Sequence, residues 1–138
     1  MAAGPWQIFN AVKAAALNSA LDLEGSPLTV KLVDSDYVFD ASHVQVSDLG
    51  GNTLSGNGYA DETVTGVASG TTTRVIAGNS DAVFTASGGS LSPEGVVICQ
   101  GTQLIAYSDL EDGGSFPTIT DGSDLTVDLT TTGILQLA

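Results

Sequence analysis

The sequence predicts a mainly β protein: an antiparallel β-sandwich or barrel-like domain with a short N-terminal helix. Three observations carry that reading. Beyond Pro27 the texture is Thr, Val, Ser, Gly and Asp, with apolar residues alternating or in runs of three or four. Turn residues punctuate these runs at short intervals, and no helical periodicity falls between them, which disfavours a parallel α/β sheet. Only residues 7–21 (QIFNAVKAAALNSAL) form a long stretch of strong helix formers.

In chain order, the helix comes first. Phe9, Val12, Ala16 and Ala20 recur at helical intervals, and Pro5 precedes them where a missing N–H costs nothing. The spacing predicts a helix over about residues 6–20, stopped by the turn Glu24-Gly25-Ser26-Pro27. Residues 1–25 then read as an N-terminal arm and helix, and 26–138 as one β-sandwich unit.

Leu28, Val30 and Leu32 alternate with Thr29 and Lys31, and Ala82, Phe84 and Ala86 alternate with Val83 and Thr85; each strand has one face suited to a core. Gly95–Cys99 and Leu104–Tyr107 are apolar on both faces, as central strands covered on both sides are, and Gly101-Thr102 gives them a hairpin turn. Leu125–Leu129 and Ile134–Leu137 are expected to pair across 130–133. Weaker strands fall near 44–48, 63–68 and 73–77, for seven to nine strands in all.

Composition bounds the function. The chain has 138 residues, a 42% hydrophobic fraction and no apolar run near the ~20 residues of a membrane-spanning helix, so a folded single domain is expected. Three basic residues (Lys13, Lys31, Arg74) face sixteen acidic ones, a net charge of −13. Binding to phosphate backbones or anionic lipid needs clustered Lys and Arg, so neither nucleic acid nor membrane is expected as a partner. The start, Met-Ala-Ala-Gly-Pro-Trp, lacks a charged segment followed by an apolar one, so no secretory signal is expected and synthesis in the cytoplasm is.

Chemistry-bearing residues are few. His43 is the only imidazole available to activate Cys99 or any serine, and it sits in the polar stretch Asp40-Ala41-Ser42-His43. Cys99 lies inside an apolar run, where a free thiol buries as a small apolar group. No catalytic residue and no cofactor is expected. For a metal, Asp109, Glu111 and Asp112 ahead of Gly113-Gly114 form the best local calcium candidate, but the alternating ligands and distal Glu of an EF-hand are missing, so they read as solvated turn residues and no metal is expected. The glycine-rich stretches 50–58 and 87–90 lack both the Lys-Ser/Thr ending and the following helix of a phosphate loop, and read as surface loops. Trp6, Ile8, Phe9 and Val12 form the densest apolar cluster outside the strands. They either pack on the chain's own sandwich or dock on a partner, and an arm ahead of the first strand is expected to leave the sandwich without breaking a ladder.

The order of Gly4-Pro5-Trp6, Leu28-Thr29-Val30-Lys31-Leu32-Val33, Asn57-Gly58-Tyr59-Ala60, Phe84-Thr85-Ala86-Ser87-Gly88-Gly89-Ser90-Leu91, Leu104-Ile105-Ala106-Tyr107 and the closing Gly133-Ile134-Leu135 resembles a family of small tailed-phage virion structural proteins along nearly the whole chain. Where many relatives carry a Tyr-Thr-Pro turn after the first strand, this chain has Asp36-Tyr37-Val38-Phe39-Asp40. The resemblance implies a non-enzymatic virion component: a capsid decoration or cement protein on the major capsid shell, with the major capsid protein and copies of itself as partners. The alternative is a tail- or fibre-associated module, a glycan-binding adhesin being one form of it. It implies no catalytic residues.

Overall fold

The computed structural model describes residues 6–17, 23–25, 27–69, 74–109, 118–130 and 134–137. Within them lie strands β1 (Gln7–Ile8), β2 (Pro27–Val33), β3 (Glu62–Ser69), β4 (Arg74–Gly78), β5 (Ala82–Thr85), β6 (Gly95–Gln100), β7 (Gln103–Ser108), β8 (Asp124–Val127) and β9 (Leu135–Leu137), with one helix, α1 (Asn10–Leu17). The protein is mainly β, as its composition predicts. Seven strands form a curled, half-barrel sheet in the order β1-β7-β6-β2-β3-β4-β9, and β5 and β8 form a second, two-stranded sheet. Every pairing is antiparallel.

The hairpin expected from residues 95–107 forms: β6 and β7 pair from Val96↔Ser108 to Gln100↔Gln103, with a register shift at Ile98/Cys99. Gly101 turns the corner at φ 58°, a conformation that glycine adopts without strain. Residues 95–99 and 104–108 are all buried, as apolarity on both faces requires. β5 and β8 alternate instead: Ala82, Phe84, Leu125 and Val127 face the core and their neighbours face outward. Tyr59 joins the two sheets. Its ring stacks on Phe84 at 6.0 Å and 6°, and its hydroxyl accepts a hydrogen bond from the Leu32 N–H of β2 at 2.9 Å.

Three expectations need correction. The helix begins at Asn10 rather than at residue 6, because Gln7 and Ile8 pair with Tyr107 and Ala106 of β7; its expected end at 18–20 lies outside the described residues. Residues 125–129 and 134–137 do not pair with each other: β8 joins β5 and β9 joins β4. Near 44–48 there is no strand. Gln45 makes one bridge to Gln103, and Val46–Leu49 forms a 3₁₀ turn. The Asp48 carboxylate holds that turn by accepting the Val44 and Gln45 N–H groups at 2.8 and 2.9 Å.

Candidate functional site

The four residues expected to dock on a partner fall into two pairs. Phe9 and Val12 are fully buried in the core, while Trp6 and Ile8 are half-buried against it. The reading of this segment as a detachable arm is corrected. The Phe9 N–H donates to Ile105 O at 3.3 Å and the Asn10 N–H to Ala41 O at 2.8 Å. Withdrawing the segment would break the β1–β7 ladder and empty part of the core. The indole N–H of Trp6 is buried without a hydrogen-bond partner.

The reactive side chains are engaged separately. Cys99 lies in β6 with no exposed surface, and its thiol donates to Thr29 O at 3.7 Å. Burial pushes that thiol up to about 11, so it stays protonated at neutral pH. His43 ends a turn in which its N–H donates to Asp40 O at 3.0 Å, and its Nδ1 shares a hydrogen bond with the Tyr37 hydroxyl at 3.2 Å. Of the calcium candidates, Asp109 follows β7, and Glu111 and Asp112 lie outside the described residues. Among the described residues no cluster of three His, Cys, Asp or Glu side chains could hold a metal. Nor is any described helix long and apolar enough to cross a membrane.

Two arrangements emerge that the sequence did not single out. The first is an aromatic underside to the loop over residues 34–45. Tyr37 and Phe39 flank the exposed Val38 and turn inward onto Tyr107, at 5.7 and 5.4 Å, and Phe39 meets Phe9 at 5.0 Å. Tyr107 fits because Gly95 lies beneath its ring: a Cβ there would sit 2.5 Å from the ring edge. Burial, with the neighbouring Tyr107 and the acidic Asp40 and Asp48 as smaller contributors, raises the Tyr37 phenol to about 12. The rim is acidic and tied to backbone. Ser42 donates to the Asp40 carboxylate through Oγ and N–H at 2.7 and 2.9 Å. These bonds hold Asp40 below the usual carboxylate range, as the Gln45 and Val44 N–H groups do Asp48.

The second is an interlock of three loops. Asn57, in the left-handed conformation at φ 49°, donates its amide N–H to Ser90 O at 2.8 Å. The Asn57 backbone carbonyl accepts the Ser87 N–H at 2.7 Å. The Asp121 carboxylate accepts the Gly88 N–H at 3.0 Å, and the Gly122 N–H reaches Ala86 O at 2.8 Å. So the glycine-rich stretches near 57 and 88 are surface loops as expected, but they are locked together rather than free. Beside them, Lys31 is ion-paired with Asp61, whose other oxygen accepts the Tyr59 hydroxyl at 2.8 Å. Desolvation, with that contact as a smaller cause, raises the Tyr59 phenol well above its ordinary value.

No family model, curated protein or solved structure matches the chain.

Proposed function

We propose that the chain is a non-enzymatic structural protein of a tailed-phage virion: a decoration or cement protein that is made in the host cytoplasm and binds the outside of the major capsid shell. The partners on this reading are the major capsid protein and neighbouring copies of the same chain. One observation carries it beyond the resemblance. Among the described residues, the histidine, the cysteine and the Lys31–Asp61 pair are engaged within the scaffold: His43 with Tyr37, Cys99 with Thr29, Asp61 with Lys31 and Tyr59. What such a molecule offers a partner is an acidic surface whose loops are hydrogen-bonded to one another. A cement protein needs that more than it needs a cleft, because pre-ordered loops lose little entropy on docking.

Two of the motifs that carry the resemblance, Asn57-Gly58 and Ser87-Gly88-Gly89-Ser90, meet in space. Their joint occurrence thus has a physical reason in the scaffold.

The test is addition of the purified protein to undecorated shells. Binding to native states only must raise the temperature at which shells come apart. Shells that melt at the same temperature with and without saturating protein would overturn the reading.

A further inference from the structure

The surface of the loop over 34–48 has features that neither the motifs nor the proposed function assigns. Among the described residues, the large apolar side chains left exposed are Val38, Val44, Val67 and Val83, and Val38 at 77% is the most exposed of them. Val67 and Val83 lie in β3 and β5 and are less exposed, at 45% and 42%, and partly exposed apolar residues on strands are ordinary. Val38 and Val44 differ, because both stand on one closed turn of chain whose conformation is fixed from beneath. Tyr37 and Phe39 point into the core on either side of Val38, which forces Val38 outward. The backbone at Val44 is pinned twice, its N–H donating to Asp48 at 2.8 Å and its carbonyl accepting from Leu104 N–H at 2.9 Å. The Tyr37–His43 hydrogen bond joins the residues that immediately precede the two valines.

Residues 34–48 also contain four carboxylates, Asp34, Asp36, Asp40 and Asp48, and no Lys or Arg. Exposed apolar side chains and charged ones on one loop of fixed conformation supply both parts of a protein-binding surface, its apolar core and its polar rim. The charge decides the occupant. A second copy would set this acidic segment, on a chain of net charge −13, against an equally acidic chain.

We propose that Val38 and Val44, on an acidic loop in which Asp36 and Asp40 lie two residues either side of Val38, are the docking surface for a partner protein that presents an apolar pocket edged by lysine or arginine. The inference rests on the proposed function, under which that partner is the shell protein. It differs from the expectation for Trp6, Ile8, Phe9 and Val12 in using side chains that already face solvent.

The experiment is co-sedimentation of the full chain with purified undecorated shells, with circular dichroism and thermal melting as checks that each variant is folded. Val38→Ser with Val44→Ser should weaken binding at least about tenfold. The matched pair Val67→Ser with Val83→Ser should bind as the unaltered chain does. Asp36→Asn should weaken binding at low salt and reduce its dependence on NaCl between about 50 and about 500 mM. If the unaltered chain binds but the Val38/Val44 pair binds equally well, or the Val67/Val83 pair loses as much, the surface is overturned and the proposed function stands. If the unaltered chain does not sediment with shells at all, both fall.

Discussion

Asn57 occupies the space that a side chain on Gly89 would need. A Cβ at Gly89 would lie 2.5 Å from the Asn57 amide oxygen, and Gly58 is likewise closed off by Ser87, whose Cβ would be 2.8 Å away. The two glycine-rich loops therefore approach as closely as backbone allows.

Adjacent glycines separate two reasons for being glycine. Gly88 has φ +78° and open space, so Gly88→Ala meets only the left-handed backbone cost of about 1 kcal/mol. Gly89 has no such backbone demand but no room either, so Gly89→Ala must push Asn57 aside, costing about 1–3 kcal/mol and lowering the melting midpoint by roughly 5–10 °C. Thermal melts of both variants check the order. A Gly88→Ala that is the more damaging would contradict the interlock.

Phe9→Ala removes a fully buried ring packed on Phe39. The expected loss is about 3–5 kcal/mol, a large share of a domain's typical stability, and deletion of residues 1–12 should leave no cooperative unfolding transition. Urea titration followed by circular dichroism measures both. A truncated chain that folds normally would restore the detachable arm.

Tyr59→Phe should cost about 1–3 kcal/mol in the same titration, because the Leu32 N–H loses its acceptor at the point where β3 no longer covers β2. A neutral result would mean that water replaces the hydroxyl.

Stability should fall on the alkaline side. The Cys99 thiol lies near 9 when unfolded and about 11 when folded, and Tyr37 moves from 10 to about 12. Above pH 9 the unfolded chain therefore binds fewer protons than the native one, so the stability present below pH 9 is lost progressively as pH rises towards 11–12. Cys99→Ala should flatten the first part of that decline. The native thiol should also resist a thiol reagent at pH 8 until the chain is unfolded. Rapid native modification, or an unchanged pH slope, would contradict its burial.

How much of this was legible in the sequence depended on the signal. Strands β6 and β7 were readable because residues 96–99 and 104–107 are apolar at every position, a pattern few other settings produce. The start of α1 was not, since Phe9 and Val12 fit a helix whether or not Gln7 and Ile8 extend it, and only contact with Tyr107 and Ala106 decides. The partners of β8 and β9 were hidden for a related reason: alternation such as Leu125, Val127 reveals which face is buried, never which strand lies alongside. Tyr37, Phe39 and His43 were masked by Asp34, Asp36, Asp40 and Ser42, whose polarity made the segment look solvated although its aromatics turn inward. The Lys31–Asp61 pair spans 30 residues and leaves no local trace.

The proposed function is tested most directly by counting copies of this chain in purified infectious particles, by quantitative mass spectrometry against the major capsid protein. A shell decoration repeats with the shell's symmetry, so the account predicts on the order of hundreds of copies, in fixed ratio to the capsid protein. A count of a few to some dozens would place the chain in the tail, and its absence from purified particles would contradict the account outright.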